Sequence, residues 1–345
     1  MQFRLKTYKN IQAMRGVAAI MVLVDHGLST KLGMGVDHVA YFVNYFGSSG
    51  VDIFFVISGF IISQNAVNSR STGRLAFATN FSFRRFTRIY PLYWIVLAAS
   101  VGVSVWVPLS TPTFPMAPWL SLIFLTTTAN WFVFPAWTLA FELYFYVWLV
   151  VIMIIAPRHI FPAILVWMAI QAVAGVLYSA YEVHTHALVI EFGFGCLVAY
   201  LIDRGARKYA IVNLLIAFMA FYAGAYLTAQ YGPIAGWIRV GTFGVGGAFL
   251  IYAVVAAEYG GLFFPRIMQY LGDASYSVYI WHALLLAVLV ATCESSGLIS
   301  SIPQSLRPLL VISWIAVALL FALASYTYLE RPILHFSRLI STKFG

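Results

Sequence analysis

Inside the first apolar run of this sequence, QAMRGVAAIMVLVDHGL over residues 12–28, an arginine, Arg15, sits near the start and a histidine, His26, near the end. An imidazole can act as a general base or a nucleophile, and a guanidinium can hold an anion or a developing oxyanion. Both are expensive in hydrocarbon, which makes each a functional-site candidate by default. On an α-helix the eleven-residue spacing leaves them only ~20° apart, with ~16 Å between their Cα atoms along the axis. One stripe therefore carries both groups, a geometry suited to an extended ligand lying along the helix. The alternative is a snorkelling arginine at one end and an interfacial histidine at the other.

Further residues of costly type recur along the chain. Glu142 lies about six residues into PAWTLAFELYFYVWLV, surrounded by aromatic side chains, where a carboxylate must be paired or neutral. Its expected depth makes it the natural acid–base partner of His26, and an inter-helix salt bridge is the structural alternative. Arg84, Arg85 and Arg88, in FSFRRFTRIYPLYW, have no acidic neighbour. Three guanidiniums of that kind suit a phosphate or pyrophosphate, or an anionic lipid headgroup. Arg85 and Arg88 share a helix face, and Pro91 restricts where regular helix starts. Asp52, in GSSGVDIFFVISGFIIS, reads as a helix N-terminal carboxylate or a catalytic acid. His282, in LGDASYSVYIWHALLLA, reads as a packing residue. His184 and His186 are too few to specify a metal, and no metal is expected. Cys196 and Cys293 form no motif and read as small apolar residues.

The elements that must position these residues are membrane helices. Of 345 residues, 62% are hydrophobic and 9% charged, and the mean hydropathy is +0.88, which excludes a water-soluble globular surface. The apolar residues form continuous runs rather than ten-residue alternating strands, which excludes a β-barrel. The expected fold is an all-α polytopic bundle with spans at 11–28, 42–64, 90–108, 136–156, 160–180, 187–203, 209–228, 238–257, 277–293 and 307–328. The apolar piece WLSLIFLTTTANWF follows Pro112, Pro115 and Pro118 and is too short and polar to be a clear span. With ten spans and a cytoplasmic N-terminus, sixteen lysines and arginines fall inside and three (Lys31, Arg239, Arg307) outside, Arg15 being the remaining one of 20. Counting the short piece as an eleventh span reduces the split to 10 against 9. The charge bias therefore favours ten spans, both termini cytoplasmic, and a re-entrant or interfacial short segment. The net charge of +9 is then a topology signal, and no nucleic-acid partner is expected. The whole chain, residues 1–345, reads as a single membrane domain with no fused soluble domain.

The order of these pieces is specific where each alone is loose. Arg15 with His26, GVDIFFVISGFII, FRRFTRIYPLYW, NWF followed by PAWTLAFELYFY, LGDASYSVYIWH and a final YLERP together resemble the membrane acyltransferase 3 family, over a core of about 11–334. Members of that family O-acylate bacterial surface polysaccharides, lipopolysaccharide, peptidoglycan and some macrolides. The resemblance implies a catalytic His26, a functional Arg15, an essential acidic Glu142, and Arg85 and Arg88 as the family's R-x-x-R pair. Many relatives carry WSLSVEEQFY with paired glutamates where this chain has AFELYFY with one. Some relatives also fuse a periplasmic esterase-like domain, and none is read here.

The resulting expectation is an integral O-acyltransferase of the bacterial inner membrane. It would move an acyl group, most simply acetyl, from cytoplasmic acyl-CoA to a hydroxyl of an envelope saccharide or lipid-linked precursor. Arg84, Arg85 and Arg88 would hold the CoA phosphates, while Arg15, His26 and Glu142 serve the chemistry. Expected partners are acyl-CoA, the saccharide acceptor, membrane lipids and polysaccharide-assembly proteins. The rival is a transporter or channel with Arg15, His26 and Glu142 on an ion or proton path. Against it, no repeated half or pair of matching broken helices is present.

Overall fold

The computed structural model describes residues 8–30, 46–68, 74–106, 119–126, 132–157, 159–178, 186–232, 234 and 236–341. Lys31, His184 and the proline-rich stretch 107–118 lie outside these residues. The described chain is helical throughout, and each expected span coincides with a helix. In chain order these are α1 (Lys9–Leu28), α2 (Gly50–Asn68), α3 (Arg74–Ser104), the short α4 (Trp119–Phe124), α5 (Trp137–Ile155), α6 (Ile160–Leu177), α7 (Val189–Asp203) and α8 (Ala210–Tyr231). They continue with α9 (Gly236–Tyr259), a short α10 (Arg266–Asp273), α11 (Ser275–Ser295), α12 (Arg307–Ser325), a π turn (Tyr326–Glu330) and α13 (Arg331–Ser341). Among the described residues, eight helices are long and apolar enough to cross a membrane. The other two expected spans are α2 and the 15-residue α7. These two cross at backbone contact, because a Cβ at Gly59 would overlap the Phe192 carbonyl oxygen.

Two expectations change. Helix α3 runs straight through Pro91 and begins well before residue 90, so Arg84, Arg85 and Arg88 are helical rather than at a ragged mouth. Proline removes one helical donor, a loss that packed membrane helices tolerate when neighbouring groups satisfy the freed backbone. The short apolar piece forms only a six-residue helix, α4, closed by Leu125 at φ +55°. Its terminal carbonyls are orphans, and α3 caps them with three aromatic donors. Tyr90 Oη bonds Phe124 O at 3.0 Å, Trp94 Nε1 bonds Ile123 O at 3.0 Å, and Tyr93 Oη bonds Leu122 O. This is how non-spanning backbone is held within an apolar bundle, as the reading of a re-entrant or interfacial segment requires.

Candidate active site

Helix α1 is the spine of the site. Its face towards α11 carries both Arg15 and His26, as the eleven-residue spacing requires. Arg15 lines a cavity of about 170 Å3 together with Arg85 and Arg88 of α3, Ser58 of α2, Glu142 of α5, and Ser275, Tyr276 and Tyr279 of α11. The charge neighbours of Arg15 are Arg88, Glu330, Glu142 and Arg85. Arg85 lies over the rings of Phe81 and Tyr146, at 5.4 and 5.3 Å, which holds it by its face and leaves its N–H groups for another partner. Arg84, ~100° round the helix from Arg85, is exposed and bonds Asn80 at 2.8 Å. The structure thus brings Arg85 and Arg88 into the cavity and leaves Arg84 out.

Glu142 does not meet His26. Ser58 Oγ donates to its carboxylate at 3.2 Å, and the Tyr146 hydroxyl also donates to it. The reason is depth. The His26 ring packs against Phe134, with centroids 5.6 Å apart, and Glu142 lies eight residues further along, ~12 Å down the helix. That places the carboxylate near the level of Arg15 instead. Among the described residues no carboxylate stands within salt-bridge distance of Arg15, Arg85 or Arg88, and the one ion pair is Arg239–Asp52.

The neighbour His26 does have is His282, with ring centroids 4.9 Å apart. His26 Nδ1 lies 2.9 Å from Val22 O, and His282 Nδ1 lies 2.5 Å from Tyr279 O. A carbonyl only accepts, so both Nδ1 atoms carry hydrogen and both Nε2 atoms present a lone pair in the neutral rings. His282 Nε2 is buried and has no partner among the described residues. Tyr279 separates this pair from the arginine cavity, because it lines the cavity while its ring packs 5.7 Å from that of His282. Its hydroxyl is fixed by Thr138 at 2.8 Å and donates to Pro135 O at 3.2 Å.

Other groups that the sequence left unassigned find definite places. Asp52 is a partner of Arg239, which reaches it through Nη2 at 2.6 Å and Nε at 2.9 Å and also bonds Ser48 O at 2.9 Å. Glu191 lies beside the same pair, and sequence reasoning passed over it, although a carboxylate inside an apolar run was signal enough. Glu330, in the π turn, accepts from Ser277 N at 3.1 Å and Ser277 Oγ at 2.6 Å on the far side of the arginine cavity. His186 accepts from Leu188 N, and burial together with the nearby Arg239 charge holds its imidazole below the ordinary histidine value. Cys196 packs against the Gly59 carbonyl, and Cys196 and Cys293 are both free thiols. Among the described residues no three His, Cys, Asp or Glu side chains cluster as metal ligands.

Cationic groups facing one cavity, with a tautomerically fixed histidine beyond a tyrosine partition, are parts for binding an anionic donor and acting as base or nucleophile. Comparison with known proteins fixes the class. The profile of the acyltransferase domain matches residues 8–329. The chain belongs to the acyltransferase family. The family suggested by the order of motifs is therefore the one found, and the protein is a multi-pass membrane acyltransferase. It is 26% identical to the exopolysaccharide production protein ExoZ of Rhizobium meliloti, over 85% of this chain and 91% of that protein. It is 22% identical to the peptidoglycan O-acetyltransferase OatA of Listeria monocytogenes, over 95% of this chain and 56% of the relative. A putative peptidoglycan O-acetyltransferase of Bacillus subtilis, YrhL, is 24% identical over 83% of this chain and 50% of the relative. The chain thus spans about half the length of the two peptidoglycan relatives. No solved structure gives a significant match.

Proposed function

We propose that this acyltransferase moves an acyl group, most simply acetyl, from cytoplasmic acyl-CoA to a hydroxyl of an envelope saccharide, in the bacterial inner membrane with both termini cytoplasmic. The observation that carries the reading is the charge of the arginine cavity: Arg15, Arg85 and Arg88 face it with Glu142 as the lining carboxylate. With Glu330 counted as well, since it interacts with Arg15 and Arg88 from outside the lining, three minus two leaves an excess of one positive charge in a partly buried space, which favours an anionic ligand. The sixteen-to-three distribution of basic residues supports the cytoplasmic placement of that end. The names of the relatives support a saccharide or peptidoglycan hydroxyl as acceptor.

In this reading the pyrophosphate rests at the arginines, and the uncharged thioester arm passes Tyr279 to His26. His26 Nε2 takes the proton of the acceptor hydroxyl as its oxygen attacks the thioester carbon. The C–O bond forms, the C–S bond breaks, and the thiolate leaves with the electron pair. His282 holds the His26 ring by packing against it, and Glu142 moderates the charge of the arginine cavity. The test is thiol release from acetyl-CoA by the purified protein in vesicles, with envelope glycan as acceptor. Turnover dependent on glycan supports the reading, and an absence of turnover with any acyl-CoA overturns it.

A further inference from the structure

A second concavity lies outside the arginine cavity, between α10 and the C-terminal helix. It measures about 830 Å3 and is lined by Tyr270, Asp273, Tyr326, Arg331, His335 and Arg338, with Thr327 and Pro332 between them. Arg331, His335 and Arg338 are spaced four and three apart, which puts them within ~60° on one face of α13. Opposite them, the rings of Tyr270 and Tyr326 meet edge to face at 5.8 Å. The groove therefore combines two guanidiniums and an imidazole with an aromatic wall. That chemistry suits a phosphate joined to a planar base, because arginine takes phosphate bidentately and a tyrosine face stacks on a ring.

The groove also adjoins the first cavity. Helices α1 and α10 touch backbone to backbone, where a Cβ at Gly272 would overlap the Gln12 carbonyl oxygen. At that contact Gln12 Nε2 donates to Asp273 Oδ1 at 2.6 Å, and Arg15 Nη1 donates to Gln12 Oε1 at 3.4 Å. Asp273 lines the groove and Arg15 lines the cavity, so one glutamine side chain bridges the two. The carboxylate in the groove is also already engaged by an amide, which reduces its opposition to an anion.

We infer that this groove binds a phosphate-bearing nucleotide, namely the 3′-phosphoadenosine end of the acyl-CoA donor, with the rest of the donor passing Gln12 into the arginine cavity. The inference rests on the proposed donor. The same phosphate chemistry is presented by anionic lipid headgroups, and the test separates the two sources. Full-length protein in neutral detergent is titrated with adenosine 3′,5′-bisphosphate, and the Arg331→Gln/Arg338→Gln double variant is compared with wild type. Both side chains are exposed, so monodispersity on size exclusion should be kept. The expected result is a loss of bisphosphate affinity of roughly tenfold or more and an equal rise in KM for acetyl-CoA. Turnover number, and KM for an acetyl-pantetheine thioester, should be unchanged. The inference is overturned if wild type binds no bisphosphate or if the double variant binds it as well as wild type. It is overturned equally if the double variant loses only its association with phosphatidylglycerol vesicles. Acetyl-CoA turnover in the same preparations keeps these outcomes distinct from failure of the donor assignment, which would show as no turnover in wild type.

Discussion

Removing Arg239 should destabilise this protein more than removing Asp52, although the two form one ion pair. Asp52 is fully buried, and the Arg239 side chain is 17% exposed. The guanidinium makes two bonds to Asp52 and one to Ser48 O, and it also neutralises the field of Glu191. Arg239→Met therefore strands two buried carboxyl groups, and breaking a buried pair in this way costs about 3–5 kcal/mol. Asp52→Asn keeps a side-chain oxygen beside the guanidinium, and Arg239 keeps Ser48 and Glu191, so the loss is about 1–3 kcal/mol. At about 2 °C per kcal/mol for a chain of this size, these correspond to roughly 6–10 °C and 2–6 °C in apparent Tm. The assay is thermal unfolding of detergent-solubilised protein at fixed lipid content, with Asp52→Asn/Arg239→Met as the fourth corner of the cycle. The double variant should unfold at a higher temperature than Arg239→Met alone, because one stranded carboxylate is gone. An Arg239→Met variant as stable as wild type would refute the reasoning and reopen a catalytic role for Asp52.

Arg85→Ala and Arg88→Ala should each raise KM for acetyl-CoA roughly ten- to a hundredfold, as expected for removing a charge-assisted contact, while Arg84→Ala stays within about twofold; steady-state kinetics on the three variants would contradict this if Arg84→Ala behaved like the others. Glu142→Gln should lower KM for acetyl-CoA, since losing a carboxylate makes the cavity more attractive to an anion; a KM rise would show that the carboxylate itself serves donor binding. Reporter fusions after Gly73 and Arg207 should report the cytoplasm and those after Lys31 and His184 the opposite side, and an external signal at Arg207 would invert the proposed orientation.

How much was legible follows from which facts are local. The common face of Arg15 and His26 depends only on helical angle and was readable before any fold was known, whereas the exclusion of Arg84 was not, because Arg84 lies only ~40° from Arg88 on the helix and the sequence assigned all three arginines to the CoA phosphates. That Glu142 matters was readable from its cost in hydrocarbon, but its partner was not. Its depth was judged from the expected start of a straight span, whereas a 3-10 turn at Phe134–Ala136 precedes α5 and puts Phe134 against His26. The pairing of Asp52 with Arg239 spans 187 residues and has no local signature. His282 was read as packing because an aromatic-rich helix gives no sign of what it faces, and only the crossing of α1 and α11 sets it beside His26. Glu330 reaches the arginine cavity through a π turn, whose wider register a 3.6-residue periodicity does not anticipate.

The central claim is that His26 carries out acyl transfer from a donor held at the arginines. The direct measurement is glycan-dependent thiol release from acetyl-CoA by His26→Ala in reconstituted vesicles, with acetyl-CoA affinity and thermal unfolding measured on the same preparation. The account predicts turnover at background, with donor affinity and Tm close to wild type, because the ring is half-buried and its contacts are to Val22, Phe134 and His282 rather than to the cavity. Turnover near the wild-type rate in that variant would contradict it.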